Sequence, residues 1–129
     1  MTWPGARSLV MAAGLAGFTV VVLAALGAHL DGGIDDPSAL RSWQSAVLMH
    51  GLHAVALLAL AALEYAQPSA WWRAAGLSLM LGILLFSGSL YLGVILEMRS
   101  PLAPMGGLAL MLGWLLAALG GWWTRPVAP

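Results

Sequence analysis

The sequence predicts an all-α integral membrane protein, a four-helix transmembrane bundle that forms a single domain over residues 1–129. Composition gives the first indication, because 61% of the residues are hydrophobic, only 8% are charged and the mean hydropathy is +0.91. The second is a set of four apolar stretches, each with the roughly 20 residues that a helix needs to cross a hydrocarbon core of about 30 Å. They cover residues 8–30, 43–65, 72–97 and 104–123.

The first stretch follows Arg7 and contains no charged residue as far as position 30. A secretory signal peptide has a shorter apolar region, of about 7 to 15 residues. We therefore expect a retained transmembrane helix rather than a cleaved signal. The turn sequence Asp31-Gly32-Gly33 is predicted to end it.

Short turn sequences separate the remaining stretches, so neighbouring helices are predicted to run antiparallel. These are Asp36-Pro37-Ser38, Gln67-Pro68-Ser69 and Ser100-Pro101, with Pro104 in the first turn of the last helix. Asp36 or Ser38 is expected to cap a short helix before the second stretch. Connectors of this length leave no room for a separate soluble domain.

Arginine and tryptophan residues at the ends of the stretches predict the orientation. Short cytoplasmic loops carry an excess of positive charge, and tryptophan rings favour headgroup depth. One side of the membrane has Arg7, Arg73 and Arg125 with Trp3, Trp71, Trp72, Trp122 and Trp123. The other side has Arg41, Arg99 and Trp43 with Asp31, Asp35, Asp36 and Glu97. Both termini are therefore predicted to be cytoplasmic, while Trp114, in mid-helix, is expected to pack against a neighbour or face lipid.

Small residues recur at helix-packing intervals on three of the stretches. In lipid, helices associate mainly by close backbone approach and van der Waals contact, which small residues permit. We expect contact faces on the first, third and fourth helices at the following positions: Gly17, Ala24, Ala28, Ser78, Gly82, Ser89, Gly93, Gly106, Gly113, Ala117 and Gly120.

Several classes of function find no support in the sequence. The absence of cysteine excludes disulfides and thiolate metal sites, and a net charge of zero makes nucleic acid an unsuitable partner. There is no Gly-x-Ser-x-Gly motif, and Gly106-Gly107 lacks the lysine of a phosphate-binding loop. We therefore do not expect an enzyme, a catalytic residue or a resident cofactor.

Polar residues within the stretches concentrate in the outer half of the predicted bundle. They are His29, His50, His53, Ser87, Ser89 and Tyr91. His50 and His53 lie three residues apart and can share one side of a helix. Because ionisable groups inside a membrane are costly, they usually face the bundle interior and often mark a functional site. The sequence thus predicts a polar pocket that opens towards the outer face.

Three interpretations of this pocket stay open. The histidines could form structural hydrogen bonds to Ser87, Ser89, Tyr91 or backbone carbonyls. They could bind a quinone, lipid or other small ligand, as in a small transporter or ligand-binding protein. Neutral imidazole also ligates haem iron and other metals, so His50 and His53 could bind one of these instead.

The order of several short motifs resembles the DUF423 family over nearly the full chain. They are Gly27-Ala28-His29, Trp43, His53-Ala54, Phe86-Ser87-Gly88-Ser89-Leu90-Tyr91, Pro104-Met105-Gly106-Gly107 and Gly113-Trp114. Family members commonly read Gly-Ala-Phe-Gly-Ala-His where this chain has Ala25-Leu26 before Gly27, and Thr-Pro where it has Ala103-Pro104. An aromatic residue is also usual near Met49. The resemblance implies a four-helix integral membrane protein of the bacterial inner membrane or an organelle, with no characterised biochemical role.

We therefore expect a small polytopic protein that acts through helix contacts, as a homo-oligomer or as an accessory subunit of a larger membrane complex. The lipid bilayer is its predicted environment. A transporter or ligand-binding protein that uses the outer pocket is the second hypothesis, and a haem or metal carrier is the third.

Overall fold

Helices account for nearly all of the chain that the structure describes. The computed structural model describes residues 5–29 and 34–124. The helices are α1 (Ala6–His29), α2 (Pro37–Ala66), α3 (Ala70–Ile83), a π-helical turn (Leu84–Gly88), α4 (Ser89–Ile95) and α5 (Ala103–Trp123). Because α3, the π turn and α4 form one continuous rod, these residues contain four helices that are long and apolar enough to cross a membrane. The predicted fold class is confirmed.

Most helix boundaries lie within two residues of those predicted, and two differences have a clear structural cause. Helix α2 begins at Pro37 instead of 43, because the short helix that Asp36 was expected to cap is the first part of α2 itself. The Asp36 carboxylate accepts a hydrogen bond of 2.7 Å from the Ala39 N–H. The third membrane-spanning helix ends at Ile95, two residues early, because Glu97 has the left-handed φ of 52° that closes the helix.

The bundle is built from two strongly packed helix pairs, α1 with α2 and α3 with α5, which meet through α2 and α3. The main core lies mostly in the half of the bundle that contains the first turns of α1 and α3, called the inner half here after the predicted orientation. Helices α1, α2, α3 and α5 contribute residues such as Leu9, Leu57, Leu79 and Leu110. A second, smaller core in the outer half is formed by Trp43, Ala46 and Tyr91.

Most of the small residues predicted on the third and fourth membrane-spanning helices lie at helix contacts. Ser89 and Gly93 instead contact their own helix and the loop that follows it, and nothing lies within 4 Å of a Cβ at Gly17 on α1. A Cβ added at Gly82 would lie 3.0 Å from the Leu110 backbone nitrogen, and one at Gly113 would lie 3.3 Å from the Ala75 carbonyl oxygen. The Ser78 hydroxyl also donates a hydrogen bond of 2.7 Å to the Ala109 carbonyl. Such close backbone approach is how helices associate in lipid.

Two tryptophans that were predicted to be headgroup anchors are buried instead. Trp43 and Trp72 are 3% and 6% exposed. Trp43 packs over Gly27, where a Cβ would lie 2.6 Å from Cδ1 of its ring, and Trp72 packs against Gly120 in the same way. In both places a glycine leaves room for the indole, so these rings join helices. Trp122 and Trp123 are exposed at the end of α5, as an anchor requires.

An ion pair between a buried glutamate and a partly exposed arginine closes the inner connection between α2 and α3. Glu64 is 5% exposed, and its carboxylate lies 3.3 Å from Arg73 Nε. The same carboxylate accepts a hydrogen bond of 2.8 Å from the Ser69 N–H, and Arg73 Nε also donates to the Ser69 carbonyl. One glutamate therefore fixes both the turn and the first residues of α3.

Replacing Arg73 with glutamine is expected to lower the free energy of unfolding by about 1–2 kcal/mol, because it leaves the Glu64 carboxylate buried without its cation. This is less than for a fully buried pair, since Arg73 is partly exposed. Thermal unfolding in mild detergent measures the loss. Arg41→Gln makes the same change at an exposed position on α2 and should have little effect. Equal stabilities for the two variants would contradict a structural role for the pair.

Candidate functional site

His53 lies at the centre of the bundle with both ring nitrogens occupied. It is 2% exposed. Its Nδ1 lies 2.6 Å from the Met49 carbonyl oxygen, and its Nε2 lies 3.1 Å from the Trp114 indole nitrogen. Because an indole N–H can only donate and a carbonyl can only accept, the imidazole must be neutral with its proton on Nδ1. This imidazole therefore links α2 to α5.

His50 lies about one turn earlier on α2 and pairs with a different helix. Its Nδ1 lies 3.4 Å from the Tyr91 hydroxyl, and both residues are buried. Tyr91 in turn packs edge-to-face on Trp43, with the ring centroids 4.9 Å apart. The Trp43 indole N–H donates to the Leu23 carbonyl at 3.2 Å. A continuous chain of contacts thus runs from α4 through α2 to α1.

Ser87 lies within the π-helical turn and is 1% exposed. Its hydroxyl has no hydrogen-bond partner among residues 5–29 and 34–124, a property it shares with the buried Trp72 indole nitrogen. A buried hydroxyl without a partner is costly and uncommon. Ser87 is therefore the least satisfied polar side chain of the cluster. It also lies in a π turn, and such turns often occur at functional sites.

The π turn explains why Ser87 and Tyr91 face the same way as the core of α3. Leu79, Ile83, Ser87 and Tyr91 follow each other at intervals of four residues, and all four are buried. In an α-helix at about 100° per residue, twelve residues would rotate Tyr91 by about 120° away from Leu79. A π turn accommodates one extra residue, which reduces this rotation to about 20°.

The other two predicted site residues lie apart from this cluster. His29 is exposed at the last turn of α1. Ser89 is half-buried, and its hydroxyl donates to the Phe86 carbonyl at 3.1 Å. The Ser89 carbonyl accepts a hydrogen bond of 2.8 Å from the Ser100 hydroxyl, which ties the outer loop to α4. These two hydrogen bonds of Ser89 therefore join it to residues of the π turn and the outer loop, and neither involves a histidine.

A cavity of about 530 Å³ does open at the outer end, between the start of α2 and the end of α4. Its polar lining comes from Asp36, Ser38, Ser42, Glu97 and Ser100, and none of the six predicted residues contributes to it. The structure therefore brings together His50 with Tyr91, but not all six residues around one outward-facing pocket. Ligand binding by those residues stays a prediction.

The geometry of the histidines does not fit a shared metal or haem site. Metal ligation requires a free lone pair on the imidazole. In His53 that lone pair accepts the Trp114 N–H, so a metal would first have to displace the indole. Within residues 5–29 and 34–124, no three histidine or acidic side chains cluster as metal ligands do. Of the two buried histidines, only His50 retains a ring nitrogen without a protein partner in the described part of the chain.

Sequence reasoning missed the role of Trp114, which is half exposed on α5 and yet hydrogen-bonded to His53. The two residues are 61 positions apart, and nothing in the local pattern pairs them. It also missed the π turn. The four-residue spacing of Leu79, Ile83, Ser87 and Tyr91 is longer than the α-helical repeat of about 3.6 residues, but it indicates a π turn only once all four are known to be buried.

Comparison with known proteins places these features in a family. The model of the family described as "Protein of unknown function (DUF423)" matches residues 23–107, a region that includes both buried histidines, the π turn and Tyr91. No solved structure matches the chain.

Three relatives illustrate the similarity. The UPF0382 inner membrane protein YgdD of Escherichia coli K12 is 31% identical over 116 residues, which is 88% of each chain. The UPF0382 membrane protein C1782.12c of Schizosaccharomyces pombe is 34% identical over 111 residues, 79% of this chain and 91% of the relative. The Bacillus subtilis UPF0382 membrane protein YwdK is 35% identical over 100 residues, 74% and 80% of the two chains. The chain belongs to the DUF423 family of membrane proteins, for which no biochemical role is established.

Proposed function

We propose that this chain is a non-enzymatic protein that acts by lateral association with other transmembrane helices, as a homo-oligomer or as an accessory subunit. The observation that carries the proposal is the outward face of α1. At Gly14 and Gly17, nothing lies within 4 Å of the position that a Cβ would take. By contrast, a Cβ at Gly82 or Gly113, within the bundle, would overlap a neighbouring side chain.

These glycines belong to a longer seam along α1. Val10, Gly14, Gly17, Val21, Ala24 and Ala28 follow each other at alternating intervals of four and three residues. This spacing keeps them on one face, as in helices that pack at a shallow angle. Small side chains do not improve the packing of lipid tails, whereas they allow the backbone of a second helix to approach this face closely. Since α1 packs mainly on α2, the seam is available to a partner.

The proposal places the protein in a bacterial inner membrane with both termini in the cytoplasm. Arg7 and Arg73 support this orientation, because they lie in the first turns of α1 and α3, which begin on the same side. The third arginine of this side, Arg125, falls outside the described residues, as do Trp3 and Asp31. The E. coli relative is named an inner membrane protein.

Cysteine crosslinking in native membranes tests the association, since the natural chain contains no cysteine. After mild oxidation, Gly14→Cys is expected to give a dimer of about twice 13.4 kDa, because a disulfide requires Cα atoms within about 7 Å. Leu115→Cys is the control, an exposed position on α5, which packs on α3 and the π turn, and it should stay monomeric. A product of another mass would identify a heteromeric partner.

Two results would overturn the proposal. The first is equal crosslinking from Gly14→Cys and Leu115→Cys, which would reflect random collision. The second is an absence of any product from cysteines placed singly at Gly14, Gly17 and Val21. A further variant, Gly17→Leu, should weaken dimerisation about tenfold when monitored by energy transfer between labelled copies in vesicles, because a bulky side chain separates the helices.

A further inference from the structure

A second cavity opens sideways, towards lipid, between α1, α2 and α3. Its volume is about 250 Å³, and it is lined by nine residues that include Ala16, Thr19 and His50. Leu15 and Leu84 form part of its rim and are 68% and 69% exposed. Leu15 is the tenth of the 24 residues of α1, and Leu84 is the fifteenth of the 26 residues in Ala70–Ile95. The cavity therefore lies close to the middle of the membrane.

His50 is the only ionisable side chain among the residues that line this cavity. Thr19, the other polar residue, uses its hydroxyl proton in a hydrogen bond of 2.7 Å to the Leu15 carbonyl. The remaining lining consists of aliphatic, alanine and methionine side chains. Whatever enters must therefore be apolar over most of its surface and can meet an imidazole at one point.

The hydrogen bond between His50 and Tyr91 determines which ring nitrogen of His50 can donate a proton to a ligand. The Tyr91 hydroxyl is buried, and His50 Nδ1 is the acceptor that the described part of the structure provides for its proton. If Nδ1 accepts, the proton of a neutral imidazole is on Nε2. No protein group in residues 5–29 and 34–124 accepts this Nε2–H. A donor that faces hydrocarbon without an acceptor is costly, because lipid supplies no water to replace one.

We infer that this cavity binds a membrane quinone, with a quinone carbonyl oxygen accepting a hydrogen bond from His50 Nε2. A quinone is uncharged, dissolves in the hydrocarbon region, and carries a strong acceptor on a flat ring that a cavity of 250 Å³ can hold. The ester carbonyls of phospholipids lie near the headgroups, far from the midplane where His50 is located. The inference concerns binding and does not depend on how α1 associates with other helices.

Photolabelling of the purified full chain in lipid nanodiscs tests the inference, with an azido-substituted short-chain benzoquinone as the probe. Peptide mapping is expected to find the label on residues 12–19 and 80–84, and excess unmodified benzoquinone should compete it away. An alkylbenzene of similar size but without carbonyl groups should compete at least tenfold less well. Label found mainly elsewhere, or equal competition by the alkylbenzene, would overturn the inference.

Three variants separate binding from folding. His50→Phe keeps a ring but removes the donor, and the dissociation constant should rise about tenfold, the loss of roughly one hydrogen bond. Ala16→Phe fills the cavity from α1 without touching the His50 contact with Tyr91 and should abolish labelling. His29→Phe, at an exposed imidazole outside the cavity, should bind as the natural chain does. Unchanged labelling of the Ala16→Phe protein would refute the site, even if His50→Phe failed to fold.

Discussion

Replacing Gly106 with alanine is expected to destabilise the protein by about 2–3 kcal/mol, the upper range for overpacking a close-packed interface. Gly106 is buried in the first turn of α5. An added Cβ would lie 2.7 Å from the Leu85 carbonyl carbon and 2.7 Å from the Phe86 Cα. These are backbone atoms of the π turn, so no side-chain rotation can relieve the overlap. The helix would have to move away from the turn.

Gly107 provides a matched control in the adjacent position. A Cβ there would lie 3.9 Å from a ring carbon of Phe86, an ordinary van der Waals contact. Alanine is favoured over glycine in a helix by about 1 kcal/mol. Gly107→Ala is therefore expected to be neutral or slightly stabilising, so only Gly106→Ala should lower the unfolding temperature. If Gly106→Ala were as stable as Gly107→Ala, the π turn would tolerate movement at this contact and the prediction would be wrong.

The fold could be predicted from the sequence because the bilayer limits the possible structures so strongly. Long apolar segments in lipid must form helices to satisfy their backbone groups, and turn residues between them set the antiparallel order. Prediction failed where one residue had two plausible environments. A tryptophan near a helix end can anchor at a headgroup or fill a core, and only the presence of Gly27 opposite Trp43 decides between these.

The site was less predictable, because it depends on rotation around each helix rather than on depth alone. His50, His53, Ser87 and Tyr91 were expected to cluster from their similar depths. Their actual partners depend on the π turn, which turns Tyr91 towards His50, and on the packing of α5, which brings Trp114 to His53. Neither the insertion of one residue into a helical turn nor a contact across 61 positions leaves a local sequence pattern.

Replacing His53 with alanine is expected to lower the free energy of unfolding by about 2–4 kcal/mol, the range for a buried residue that leaves a cavity. The substitution also removes the acceptor of the Trp114 indole N–H, which then has no partner at a position half exposed to lipid. Thermal unfolding in mild detergent measures the change. His29→Ala, which shortens an exposed imidazole on α1, should have almost no effect.

A double-mutant cycle with Trp114 separates the hydrogen bond from the cavity. Trp114→Phe alone should cost about 1 kcal/mol, as interhelical hydrogen bonds in membranes typically do. In the His53→Ala/Trp114→Phe protein the losses should not add, because the second substitution removes a bond that is already broken, and we expect a coupling of about 0.5–2 kcal/mol. Additive losses would mean that the imidazole acts by packing alone. If His53 instead holds a metal or haem, His53→Ala would remove the bound group and stability together, whereas Trp114→Phe would expose the Nε2 lone pair and strengthen ligation.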